Sequence, residues 1–278
     1  MKYINILNEL SEHINIQINS CSHDYHDDKW IENKVHKDYD IWYIKSGEIS
    51  IDVDGNTHTA SEGDIVFFYP NMPYTAYTYN RECSFIYIHF DFSIHDNYRV
   101  LDNFNLAGVI PGKIISSEAQ ICEKGFLSYK KNISMSSIML KGCFTILLAK
   151  IFKYYNSDNH SKTFFPENVW RINTGCLSVL QPVFNYITDN MSKPIRIKEL
   201  AQVAGISEKY FINYFKNILG ISPGRYINQL KMNRARDYLY QGKYTIKEIS
   251  SMLGYPDQYS FSKAFKKHYR VPPSKFVD

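Results

Sequence analysis

Apolar and polar positions change their rhythm along this chain, and the changes mark out its parts. From residue 36 to about 92 the runs are short and alternating. DIWYIKSGEISIDVDG is broken by S-G and D-G turn signals, THTASEGDIVFFYPNMPYTAYTY repeats the pattern, and SFIYIHFDF closes it. Closely spaced short strands with no helical period between them predict a β-sandwich or small barrel. After Ile115 the period lengthens. SSEAQICEKGFLSYKKN and SSIMLKGCFTILLAKIFKYYN predict helices, the second with Ile138, Phe144 (or Cys143), Leu148 and Ile151 near one stripe. That segment is more apolar than one buried stripe needs. It either packs wholly on its own domain or joins two copies of the chain, and the excess favours a homodimer seam at about 136–155 with Leu147 and Ile151 as its contacts. NSDNHSKT, at 156–163, is polar and aperiodic. From about Gly175 the chain reads as helical to its end, starting with an amphipathic stretch that places Leu177, Leu180, Phe184 and Ile187 on one side. The expected class is α+β: an N-terminal domain over 1–160, a linker over 161–174 and an all-α domain over 175–278.

The helical part repeats itself. IKELAQVAGIS (197–207) lies over IKEISSMLGYP (246–256), FINYFK (211–216) over FSKAFK (261–266), and SPGRYI (222–227) over PPSKFV (272–277). Two copies are too few for a solenoid, but two helix–turn–helix units explain them. In the first, Gly205 supplies the left-handed turn and Ser207 the N-cap. Phe211, Phe215 and Ile218 then share one face, while Lys209, Ile212, Asn213 and Lys216 share the other. In the second, Gly254 makes the turn and Asp257 caps. Phe261, Ala264 and Phe265 face inward, Tyr259, Lys263 and Lys266 outward, with Gln258 and Ser260 near the helix start. A greasy back and a basic front suit a helix lying in a DNA major groove.

Charge sharpens that picture. Residues 193–278 carry 16 Lys+Arg against 6 Asp+Glu, so the net +4 of the 278 residues hides a basic block of +10 joined to an acidic remainder of −6. Only the C-terminal part is expected to meet a polyanion. Aromatics, at 15%, are enough to line a pocket as well as fill cores. No apolar run has the roughly 20 residues of a membrane helix, and no signal peptide is evident, so a cytoplasmic protein without membrane contact is expected. The five scattered cysteines suggest reduced thiols rather than disulfides or zinc.

Residues 175–278 resemble the DNA-binding domain of AraC-type transcriptional regulators. The resemblance lies in I-x-x-L-A-x-x-x-G-I-S (Ile197 to Ser207), Y-F-x-x-x-F-K (Tyr210 to Lys216) and G-x-S-P-x-x-Y-I (Gly220 to Ile227). It continues through Ile246 to Ile249, Gly254 to Lys267 and Pro273 to Phe276. It departs at Arg270, usually Gly, and at Pro272, usually Ser, so the last turn is expected to differ. The resemblance implies a linking helix at about 223–241 and double-stranded promoter DNA as partner. Bases would be read by Lys209, Ile212 and Asn213, and by Gln258, Tyr259, Ser260 and Lys263. Lys216, Lys266 and Lys267 would hold phosphates. RNA polymerase is the implied partner of an activator.

The strands before this domain resemble the cupin-type sensor barrel of such regulators, through Asp40 and Gly47, then Gly63-Asp64 and Pro70. Cupin enzymes hold a metal with histidines and a carboxylate. Here only His36 and Asp40 fall at such positions; Lys34 replaces one histidine and Tyr74 stands near another. No metal, no cofactor and no enzymatic activity are therefore expected. Strand alternation puts His36, Asp40 and Trp42 on one face and Ile41 and Tyr43 on the other, with Tyr87 and His89 sharing a face. Polar groups mixed with rings suit a small-molecule effector site made of His36, Asp40, Trp42, Tyr74, Tyr87 and His89, a carbohydrate being the leading class and fatty acids remaining open. A dimeric regulator without effector, or a cupin enzyme fused to a DNA-binding domain, are the alternatives.

Overall fold

The computed structural model describes residues 6–79, 81–94, 98–104, 106–156, 163–164 and 179–276. They form two units, 1–175 and 176–278. Most of the expected linker, together with Cys176 and Leu177, lies outside the described residues.

The first unit opens on a short helix, α1 (Ile6–Glu9), and then ten strands: β1 (Ile14–His26), β2 (Ile31–Lys34), β3 (Tyr39–Ser46), β4 (Glu48–Val53), β5 (Asn56–Ser61), β6 (Ile65–Phe68), β7 (Tyr74–Tyr77), β8 (Cys83–Ile94), β9 (Tyr98–Arg99) and β10 (Gly108–Ile110). One antiparallel sheet runs β1-β8-β3-β6-β10, with β9 also on β8; the other runs β2-β7-β4-β5. The strands thus begin well before residue 36. β1 pairs along almost all of β8, with a register shift between Ile18 and Ser20. Thr163 and Phe164, inside the expected linker, belong to this unit: the Phe164 N–H donates to the Ala107 carbonyl at 2.9 Å, and its ring is buried beside Phe68 and His58.

Alternation along β3 and β8 sorts the side chains by face. Ile41, Tyr43, Ile86 and Ile88 meet Ala119, Cys122 and Phe126 of α2 (Gly112–Lys130) and Leu147 of α3 (Ser136–Asn156). Asp40, Trp42, Phe85, Tyr87 and His89 turn the other way, toward Tyr74 of the second sheet. On α3 the buried stripe is Leu140, Phe144, Leu147, Leu148, Ile151 and Tyr155, whereas Ile138, Met139 and Ile146 are exposed. This corrects the contacts expected at the seam, Leu147 and Ile151. Leu147 and Ile151 are core of their own domain, and Ile138 stands off the stripe. The helix is apolar nearly all round, so its sequence did not reveal which phase is buried.

The second unit comprises α4 (Leu180–Asp189), α5 (Ile197–Val203), α6 (Glu208–Leu219), α7 (Pro223–Gln241), α8 (Ile246–Met252) and α9 (Gln258–Tyr269). The linking helix α7 serves two cores. Its Tyr226 packs against Phe184 and Phe215, while its Met232 and Ala235 join Ile249, Leu253, Phe261 and Phe265. The last turn does not differ as expected: Arg270 takes the left-handed backbone at φ 67°, as Gly220 does at 69°.

Candidate DNA-binding face and sensor cluster

Both recognition helices start on a side-chain cap. Ser207 accepts from the Tyr210 N–H at 3.4 Å, and Asp257 accepts from the Ser260 N–H at 2.6 Å. Caps of this kind satisfy the free N–H groups of a first turn and fix where the helix begins. Burial of Phe211, Phe215 and Ile218 then orients α6, and burial of Phe261 and Phe265 orients α9. On the opposite faces Lys209, Asn213 and Lys216 are exposed, as are Gln258, Tyr259, Lys263, Lys266 and Lys267; Ile212 is half-buried. Ser260 is different. Its hydroxyl donates to Asp257 Oδ2 at 3.2 Å, so it is engaged in the cap. An exposed tyrosine was missed beside the first set: Tyr210 stacks on Tyr214 at the start of α6.

The joint between the two helix–turn–helix units holds a lysine that composition would put in solvent. Lys231 of α7 is buried and donates to the Leu253 carbonyl at 2.6 Å and the Lys193 carbonyl at 3.2 Å, with the Tyr255 ring 5.5 Å from its Nζ. Burial lowers its pKa.

In the first unit all six expected pocket residues meet. Asp40 is fully buried; the Trp42 indole N–H donates to its Oδ2 at 2.7 Å. That same oxygen lies 3.8 Å from His36 Nε2 and 3.4 Å from His89 Nε2. His36 Nε2 shares a hydrogen bond with the Tyr74 hydroxyl at 3.0 Å, and the Tyr87 ring lies against His89. Ser20 of β1, whose polar run SCSHDYH carries no clear strand alternation, joins the expected set by bonding His89 Nδ1 at 2.9 Å. Burial presses on both imidazoles. At His36 it prevails over the Asp40 carboxylate and lowers the pKa. At His89 burial is outweighed by the hydrogen bond and charge of Asp40, and the pKa rises. Burial also raises Tyr74, keeping it a phenol and a donor. The set combines hydrogen-bonding groups, rings and a negative charge, which can hold hydroxyls or a cation. The expectation of no metal counted two ligands; His89, from a strand 49 residues further on, is a third, and the three donor atoms lie within 4.8 Å of one another.

Known proteins bear on both units. Residues 19–103 match the AraC-like ligand binding domain, and residues 200–278 match a helix-turn-helix domain. The Msm operon regulatory protein of Streptococcus mutans is 23% identical over 87% of this chain and 84% of its own length. The raffinose operon transcriptional regulatory protein RafR of Pediococcus pentosaceus is 20% identical over 88% and 86%. The lactose operon transcription activator of Staphylococcus xylosus is 31% identical over 35% of each chain. Among the described residues, no helix is long and apolar enough to cross a membrane.

Proposed function

The chain belongs to the AraC-type family of DNA-binding transcription regulators with a ligand-binding domain, and from that premise we propose that it is an effector-controlled activator reading two successive major-groove segments of its promoter. The carrying observation is the pair of capped helices that bury phenylalanines on one face and expose lysine, asparagine and glutamine on the other. Asn213 and Gln258 suit adenine, Lys209 and Lys263 suit guanine, and Ile212 suits a thymine methyl, with Tyr259 beside them. Ser260 contributes through the cap it shares with Asp257. Lys216, Lys266 and Lys267 hold phosphates.

The effector is a carbohydrate bound at His36, Asp40, Trp42, Tyr74, Tyr87 and His89. Hydrogen-bonding groups set among rings support that class, as do the names of the raffinose and lactose operon regulators. Effector binding favours one arrangement of the chain, and that arrangement binds DNA more tightly. A homodimer forms through the outward face of α3, at Ile138, Met139 and Ile146. RNA polymerase is the partner of the DNA-bound form, in the cytoplasm. A second effector reading has its own observation: an apolar groove of about 570 Å³ between α1, β1 and α3, with Lys141 and Lys153 among its lining residues, which suits an amphiphilic anion.

Binding-site selection on the full chain tests the core of this reading. It should return two half-sites about one helical turn apart, with affinity falling steeply as salt rises. Random sequences, or binding flat in salt, would overturn it. A sugar panel set beside medium-chain carboxylates in thermal-shift and promoter-reporter assays separates the two effector readings. Sugars that raise both Tm and transcription support the first, whereas a response confined to carboxylates moves the site to the groove.

A further inference from the structure

We propose that His36, Asp40 and His89 form a binding site for a divalent transition-metal ion. Three observations point the same way. The first is convergence: one nitrogen from each histidine and one oxygen from the aspartate lie within 4.8 Å of one another. Ligands held tetrahedrally at roughly 2.0–2.2 Å from an ion stand about 3.4 Å apart. Asp40 Oδ2 and His89 Nε2 already have that separation, at 3.4 Å. His36 Nε2, carried by the loop between β2 and β3, stands 3.8 Å from the same oxygen.

The second observation is an orphaned atom. Asp40 is fully buried, and Trp42 satisfies one carboxylate oxygen, yet Oδ1 has no hydrogen-bond partner among the described residues. A buried carboxylate oxygen left without a partner is costly, and a cation held by both oxygens of the Asp40 carboxylate removes that cost.

The third is the outer contact of a ligand. Ser20 Oγ sits 2.9 Å from His89 Nδ1. When Nδ1–H donates to that hydroxyl, an ion can take the place of the proton that Nε2 shares with Asp40, the arrangement by which metal-binding histidines are usually fixed. Two imidazoles and one carboxylate select zinc, cobalt, nickel or iron over magnesium and calcium. Both histidines keep about a fifth of their side-chain surface in solvent, leaving a position open for water or a hydroxyl of the effector, with the Tyr74 phenol beside it. The ion would share the effector site proposed above, but the assignment does not rest on that effector.

The test uses the full chain, stripped with a chelator and then dialysed against Zn²⁺ or Co²⁺ with no organic ligand present. One equivalent should be retained per chain, Tm should rise, and the Co²⁺ form should show visible d–d bands without thiolate charge transfer. His36→Gln and His89→Gln should each weaken binding at least about tenfold, and Ser20→Ala by about tenfold. Asp40→Asn should abolish binding; since it sits in the core, the two histidine variants, checked by circular dichroism for folding, decide the matter. No retained ion, undiminished binding in both histidine variants, or a thiolate band would overturn the proposal. Because no sugar is present, its failure leaves the effector reading standing, and a failure of sugars to bind leaves the metal assignment standing.

Discussion

The two helix–turn–helix units share a pattern but not their tolerances. Each has a glycine in its turn, Gly205 at φ 69° and Gly254 at φ 68°. A Cβ on Gly205 would meet nothing within 4 Å, whereas one on Gly254 would lie 2.6 Å from the backbone of Lys193. The closing residues differ in the opposite sense. Gly220 takes its left-handed backbone freely, while Arg270 holds the same conformation, its N–H donating to the Lys266 carbonyl at 2.9 Å, against the preference of an L side chain. So the second copy is tightly constrained at its turn and strained at its end, and the first is relaxed at both. A shared motif fixes the dihedral angles; the neighbours decide what each position can accept.

Six substitutions press on that contrast. Gly254→Ala carries the largest expected effect, a loss of about 3 kcal/mol, since left-handed strain of about 1–2 kcal/mol adds to overpacking of about 1–3 kcal/mol. Gly205→Ala should lose only the strain, about 1–2 kcal/mol. Urea melts of both variants measure the gap, and equal losses would erase the distinction. Next come the reading faces: Asn213→Ala and Lys263→Ala should each cost about 1–3 kcal/mol on the operator and little on random DNA. Site selection should show the two relaxing different base positions. Lys267→Ala should instead weaken both DNAs alike and shallow the salt slope by about one. The smallest effect belongs to Arg270→Gly, expected to stabilise by about 0.5–1 kcal/mol, read as a small rise in Tm.

The C-terminal domain was legible because its signals are local. Phe211 and Phe215, like Phe261 and Phe265, lie one turn apart, and the caps sit within three residues of the N–H groups they satisfy. The barrel was legible only where both sides of a strand are constrained. β1 alternates clearly through Ile14, Ile16 and Ile18, then shifts register, and its remaining SCSHDYH mixes faces at a sheet edge. Ser20 was lost with it. His89 alternates with Tyr87 along its strand, yet its distance from Asp40 is not legible in spacing, since strand pairing brings them together from 49 residues apart. Lys231 escaped because a lysine in an amphipathic helix reads as a surface residue; only three-dimensional packing supplies the carbonyls that accept its protons.

The contact of Lys193 with both Gly254 and Lys231 also bears on whether the two copies can be parted. The internal repeat suggests two beads that could be cut apart or exchanged. Yet the loop before α5 closes against the turn of the second copy, and α7 supplies a wall to each hydrophobic core. A fragment holding only the second copy would lack the Lys193 backbone, and one holding only the first would lack half of α7. The two copies are therefore one structural unit: a reading helix transplanted from a relative has to bring the 190–196 loop and the linking helix with it to keep these contacts.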